Sequence, residues 1–179
     1  MPQASRLTVA FVAAASSAIL LVAASAAFRP AQRVILRDRT GATVGAVELT
    51  ESALDLTARI TAHGLAPGWH GMHLYETPSC KAANFADAAG HMGCAQAAHG
   101  YGSDAGSHSG DLPNIFANAT GTATTELFSE RLRLDPARAP PTRALVRKDA
   151  FVIQEHADDG SDRPSGNACT RIVCGIIET

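Results

Sequence analysis

Three histidines and an aspartate, His91, His99, His108 and Asp111, fall within one stretch that shows no apolar periodicity. Imidazole nitrogen and carboxylate oxygen are donors that zinc takes in tetrahedral sites, and three of the first with one of the second fill all four positions. A set of that kind leaves no place for water. It is structural chemistry, in which metal binding contributes folding free energy. A second cluster is the run His70-Gly71-Met72-His73. On a strand, alternate residues share a face, so Tyr75 lies on the face of His73 and Met72 points the other way. Gln154 and His156 share a face in the same manner if their strand runs that far. His70 reads as a hydrogen-bonded structural histidine, and His63, just after an alternating segment, as a surface residue. Cys80, Cys94, Cys169 and Cys174 are an even number, compatible with two disulfides in an oxidising compartment.

The elements that must position these groups read as strands. Leu54, Leu56, Ala58, Ile60 and Ala62 alternate with Asp55, Thr57, Arg59 and Thr61, a strict period of two with one buried and one wet face. Strands are also predicted over 31–38, 43–50 and 69–76, with turn signals at Arg39-Thr40-Gly41-Ala42 and between Gly64 and Gly68. Residues 77–113 are Gly, Ala, Ser, His and Asp with two of the cysteines, far beyond the roughly 15 residues usual for a structureless loop. A metal and a disulfide, rather than apolar burial, are expected to order it. Strand signals return at 114–128 and 142–154, followed by a polar loop at 155–170 and a last strand at 171–178. Short strands, long loops and no sustained helical periodicity predict an antiparallel all-β sandwich or barrel.

The chain has 179 residues, enough for one domain and an appendage. Its 15 basic and 17 acidic residues give a net charge of −2, which excludes a basic nucleic-acid binder. At 46% apolar it is no disordered acidic tail, and with 5% aromatics its core must be built from Ala, Val, Leu and Ile. Arg6, the uncharged apolar run from Leu7 to Ala27 and the small-x-small triplet Ala24-Ser25-Ala26 read as an export signal over 1–26. The alternative is an uncleaved anchor, since about 20 apolar residues span a bilayer. Either way the rest, 27–179, is expected outside the cytoplasm, periplasmic or extracellular, where disulfides persist.

Taken in order, Gly68-Trp69-His70-Gly71-Met72-His73, Cys80, Gly90-His91, His99-Gly100, His108-Ser109-Gly110-Asp111-Leu112-Pro113-Asn114-Ile115, Ala157-Asp158-Asp159, Gly166-Asn167 and Arg171-Ile172-Val173-Cys174-Gly175 resemble the bacterial Cu/Zn superoxide dismutases. The resemblance covers about residues 31–178. It implies an eight-stranded Greek-key β-barrel, immunoglobulin-like in its layers, with long metal-binding loops and a Cys80–Cys174 disulfide. It implies zinc on His91, His99, His108 and Asp111. Asp158 would link His73 to His99, with His70 as a supporting residue, and Arg171 would guide superoxide to copper.

The same resemblance implies a damaged copper site. Of four copper histidines, His73 and His91 remain, while Tyr75 and Gln154 stand where the other two belong. A neutral phenol and an amide oxygen are poor ligands for a metal that must cycle between Cu(II) and Cu(I). Two imidazoles, one shared with zinc, should hold copper only loosely, and His91 becomes an ordinary zinc ligand. Compensation could come from His156 swinging in, from Tyr75 as a phenolate, or from the thioethers of Met72 and Met92, which otherwise read as core filling. Cys94 and Cys169 are extra to the family pattern and suggest a second disulfide, or a thiol pair for a soft metal.

The expected protein is thus exported and zinc-stabilised, with weak or no dismutase activity. The alternatives are an active dismutase with an atypical copper site, and a periplasmic copper carrier using Met72, Met92 and His73. Superoxide is the partner if the site is active. Nucleic acid is not expected, nor membrane after signal cleavage, and the chain is a monomer or a homodimer.

Overall fold

The computed structural model describes residues 32–93, 98–101, 107–138, 144–161 and 165–178. The expected export signal and Cys94 lie outside them. Eight strands close into a barrel: β1 (Gln32–Asp38), β2 (Thr43–Glu51), β3 (Leu56–Ala62), β4 (Gly68–Tyr75), β5 (Asp111–Ala117), β6 (Ala123–Ser129), β9 (Lys148–Gln154) and β10 (Arg171–Glu178). The hydrogen-bonded order round the barrel is β1-β10-β9-β4-β5-β6-β3-β2, and every pairing in it is antiparallel. The connections from β3 to β4 and from β6 to β9 cross between non-neighbouring strands, which makes it a Greek key. Closure leaves no free sheet edge. A separate parallel pair, β7 (Leu132–Arg133) and β8 (Ala144–Leu145), lies between β6 and β9 in the chain.

The alternation read from the sequence is that of the barrel wall from Leu56 onward, whereas Leu54 precedes β3 and is 73% exposed. Leu56, Ala58, Ile60 and Ala62 point into the core, while Arg59 and Thr61 face solvent. The core is aliphatic, with Val34, Leu36, Val47, Leu49, Ile115, Ile153 and Ile177 among its members. The predicted strand at 114–128 is two strands. Asn118 breaks it, because its side-chain oxygen accepts the N–H groups of Thr120 and Thr122 at 3.0 Å each. Gly121 then closes the turn with φ +74°. The segment at 142–154 likewise divides into β8 and β9.

Apolar burial does contribute to the long loop, contrary to the expectation for 77–113. Phe85 and Ala88, beside a short 3-10 turn (Ala86–Ala88), are buried with Tyr75, Ala150, Val152 and Cys174 in a second cluster. The reason lies in β9. Ala150 to Gln154 are all buried, so the strand packs on both faces, with Phe151 and Ile153 inward and Ala150 and Val152 outward under the loop. A Cys80–Cys174 disulfide, with Cα atoms 5.9 Å apart and a sequence separation of 94, ties that loop to β10. Its removal in a Cys80→Ser variant should lower stability by about 2–5 kcal/mol. Thermal melts of the oxidised wild type and the variant check this, and equal melting temperatures would refute it. Of the expected second pair only Cys169 is among the described residues, Cys94 lying outside them. Cys169 is a free, exposed thiol in a left-handed turn (φ 62°), with its Sγ 3.3 Å from the Asn167 carbonyl oxygen.

Candidate metal centre

The centre is built on the outer face of β4 and the start of β5, by backbone lacing of the loop. Met92 donates to the Leu74 carbonyl, Leu74 to Gly110 and Gly110 to Met92, at 2.8, 2.8 and 2.9 Å. Tyr75 pairs with His91 in an isolated bridge. The close approach demands glycine, since a Cβ on Gly110 would lie 2.3 Å from the Leu74 oxygen. His91 and His108 are thereby held against the strand that carries His73 and Tyr75, and Asp111 opens β5 beside them.

Three imidazoles converge on one carboxylate oxygen. The Nδ1 atoms of His91, His99 and His108 lie 3.0, 3.3 and 3.2 Å from Asp111 Oδ1. All four side chains are buried. The Nδ1 atoms of His99 and His108 have no hydrogen-bond partner in the protein. Four tetrahedral donors about 2.0–2.1 Å from a zinc ion stand about 3.3 Å apart, and the three nitrogen-to-oxygen distances match that spacing. The other Asp111 oxygen accepts the N–H groups of Gly100 and His108, at 2.9 and 3.0 Å. Burial alone would raise the Asp111 carboxyl, but the bond to His91, the Gly100 N–H and the neighbouring imidazoles hold it well below the usual carboxylate range. His91 is pushed down to about 4, chiefly by burial, and is a neutral imidazole at pH 7.

Asp158 stands between two of these rings. Its Oδ2 accepts from His73 Nε2 at 2.8 Å and its Oδ1 from His99 Nε2 at 3.0 Å. Against the penalty of burial, these bonds and the Gly160 N–H bring its carboxyl down to about 2. Gly166 makes room, because a Cβ there would sit 1.6 Å from Asp158 Oδ1. Asn114 clasps the Asp158 backbone from both sides, at 2.8 and 2.9 Å. One donor atom each from His73, His91, His99 and Asp111 lie within 4.8 Å of one another.

The side where the family places copper is arranged differently. Tyr75, 1% exposed, brings its hydroxyl to 3.1 Å from His91 Nε2. Burial pushes its phenol further above its usual range, with Arg171 pulling the other way, so a phenolate ligand is disfavoured. The rings of His73 and His91 stack at 4.0 Å with 24° between planes. Lone pairs lie in the ring planes, so one copper ion cannot meet both rings without their turning. Gln154 is buried and its amide donates to the Cys169 carbonyl at 3.3 Å. The compensations imagined from sequence are not built. β9 ends at Gln154 and His156 is exposed. Met72 faces the barrel core with 0% exposure, opposite His73, and Met92 packs against the same core. Both are filling, and the copper-carrier reading loses its thioethers. Copper therefore does not fit the residues present. Arg171 donates to the Phe85 and Ala89 carbonyls at 2.6 and 2.7 Å and lies 4.2 Å over the Tyr75 ring. His70 is buried with its ring nitrogens 2.8 Å from the Gln154 and Ala66 carbonyl oxygens, and His63 is exposed.

Two residues at the centre carry no sequence signal of their own. The Tyr101 hydroxyl donates to the Asp111 carbonyl at 2.6 Å. Arg131 reaches from the β6–β7 corner to Ser107 Oγ, the Ser107 carbonyl and the His108 carbonyl, at 2.7, 3.2 and 3.1 Å. Arg131 lies 23 residues after His108, and only the closure of the barrel brings them together.

A closed Greek-key barrel with a buried His/Asp cluster on its outer face, and a disulfide from loop to last strand, defines a metal-binding β-barrel protein. Within that class the chain belongs to the copper/zinc superoxide dismutase family, whose model, Copper/zinc superoxide dismutase, matches residues 43–177. It is 34% identical over 145 residues to the superoxide dismutase [Cu-Zn] of Caulobacter vibrioides, covering 80% of this chain and 83% of the relative. It is 36% identical over 148 residues to the superoxide dismutase-like protein YojM of Bacillus subtilis, covering 80% and 74%. Among solved structures, it matches a double mutant of a SOD-like protein from Bacillus subtilis at 34% identity and a TM-score of 0.75. The match covers 82% of this chain and 97% of that one. In that mutant a tyrosine and a proline are each exchanged for histidine.

Proposed function

We propose that this chain is an exported zinc protein of the dismutase family whose dismutase activity is weak or absent. His91, His99, His108 and Asp111 hold zinc, and Asp158 orients His99. The observation that carries this is the pair of contacts at His91, with Nδ1 in the four-donor set and Nε2 engaged by the Tyr75 hydroxyl. Zinc supplies a structural cross-link between loop and barrel, since the four donors leave no open position. The apolar N-terminal segment and the Cys80–Cys174 disulfide support residence outside the cytoplasm. The test is one preparation from copper-supplemented cells, assayed for bound zinc, bound copper and superoxide consumption. About one zinc, negligible copper and no activity are expected. Stoichiometric copper with activity would overturn the proposal. A second reading, an active enzyme with an atypical copper site, has one observation in its favour: His73 Nδ1 is buried without a partner in the protein.

The metal-free form should be acid-sensitive. His91 is lowered to about 4 in the fold, so the unfolded chain takes up the proton first as pH falls. Stability is therefore full above about pH 6.5 and declines between 6.5 and 4, by on the order of 3 kcal/mol. Asp158, lowered to about 2, adds a loss of the same sign below about pH 4. Urea midpoints of chelator-treated protein from pH 8 to 4 measure this, and a flat profile would contradict it.

A further inference from the structure

We propose that Tyr75, clamped by Arg171, is a positioning residue for the metal on His91, so that two residues on the family's copper side have become outer support for the zinc site. This rests on the zinc reading above. A neutral imidazole carries one N–H. A carboxylate only accepts, so with no metal His91 Nδ1–H donates to Asp111 Oδ1 at 3.0 Å. His91 Nε2 is then the acceptor, and the Tyr75 O–H donates to it across 3.1 Å. With metal on Nδ1, the ring proton resides on Nε2, which donates to the phenol oxygen. The proton count of His91 does not change, but the direction of its bond to Tyr75 reverses. A hydroxyl serves both states because it donates and accepts. Phenylalanine would serve neither, and a carboxylate only the loaded one.

The phenol is held for this task. The Arg171 guanidinium lies over the ring at 4.2 Å, and its two terminal nitrogens are fixed by the carbonyls of Phe85 and Ala89. Both acceptors sit at left-handed backbone positions, φ 54° and 68°. Arg39 in turn donates to the Arg171 carbonyl at 2.8 and 2.6 Å. The arrangement parallels that at His99, where Asp158 fixes the ring from its outer nitrogen. Outer partners of metal-ligating histidines set tautomer and orientation, and their loss typically costs about 10–100-fold in metal affinity.

The experiment is zinc competition with a chromophoric chelator on wild type, Tyr75→Phe and Arg171→Gln, with 15N NMR of the His91 ring. Tyr75→Phe keeps the aromatic ring under Arg171 and removes only the hydroxyl. Expected are a zinc affinity lowered about 10–100-fold in Tyr75→Phe, a smaller loss in Arg171→Gln, and a melting temperature lowered less in the metal-free than in the zinc-loaded form of Tyr75→Phe. In the wild type, zinc should shift the His91 proton from Nδ1 to a hydrogen-bonded Nε2. Equal zinc affinity in Tyr75→Phe would overturn the inference. If that variant does not fold, an Nε2–H without a hydrogen-bond acceptor in the zinc-loaded wild type would do the same. A wild type with no zinc affinity sinks the zinc reading itself, which separates the two failures.

Discussion

The double variant Tyr75→His, Gln154→His should take up one copper per chain beside zinc and show superoxide dismutase activity well above that of the wild type. Both substitutions fall on the outer face that His73 already occupies. β4 pairs with β9 so that His73 stands opposite Val152 and Tyr75 opposite Ala150, which puts Gln154 on the same face two residues on. With His73 and His91 the variant would offer four imidazoles, a donor set that suits copper in both oxidation states. Removing the phenol also frees His91 Nε2. Restoring two ligands should raise copper affinity by at least about 10²-fold, taking the cost of a lost outer partner as the lower bound for a lost ligand. Copper titration in the presence of bound zinc, followed by a superoxide assay, measures this. A variant that folds, holds zinc and still rejects copper would show that the defect lies beyond these two side chains. Each single variant should gain far less, since three imidazoles leave the site incomplete.

Asp111→Ala should abolish stoichiometric zinc binding and produce the largest stability loss of any single change at the centre. Asp111 Oδ1 is the one atom near which all three Nδ1 donors gather, and its partner oxygen holds the Gly100 and His108 N–H groups. The variant loses a ligand and leaves two buried donors unpaired. Zinc bound to the native state alone contributes about 4 kcal/mol at a free concentration 1,000 times its Kd, and that contribution disappears. Calorimetry with and without chelator separates the parts. Chelation should lower the wild-type melting temperature strongly and leave the variant's unchanged. A variant that melts with the zinc-loaded wild type would rule out the four-donor centre.

How much of this was legible in the sequence depends on whether the information is local. The period-two run of β3 states a buried and a wet face without reference to anything else in the chain. The donor inventory is equally local, since His91, His99, His108 and Asp111 declare their ligand types and Tyr75 and Gln154 declare what is missing. The split between β5 and β6 was also locally encoded, in Asn118 and Gly121, but valine-poor strands on either side blurred it. The burial of Phe85 and Ala88 was not legible, because a loop of small polar residues gives no hint that the far face of β9 is apolar and waiting to be covered.

The sequence by itself determined the wall of the barrel and the chemistry available to the metal centre, because side-chain period and donor type are properties of neighbours along the chain. Only the tertiary structure decided which atom meets which. It aims three Nδ1 atoms at one oxygen and turns Met72 into the core. It places Asn114 against Asp158 and Arg131 against the His108 carbonyl. It leaves Cys169 a free thiol and lays Arg171 over Tyr75, whose hydroxyl then reaches His91. Most of those contacts join residues more than ten positions apart, and they exist only once strand register and loop path are fixed by closure of the barrel.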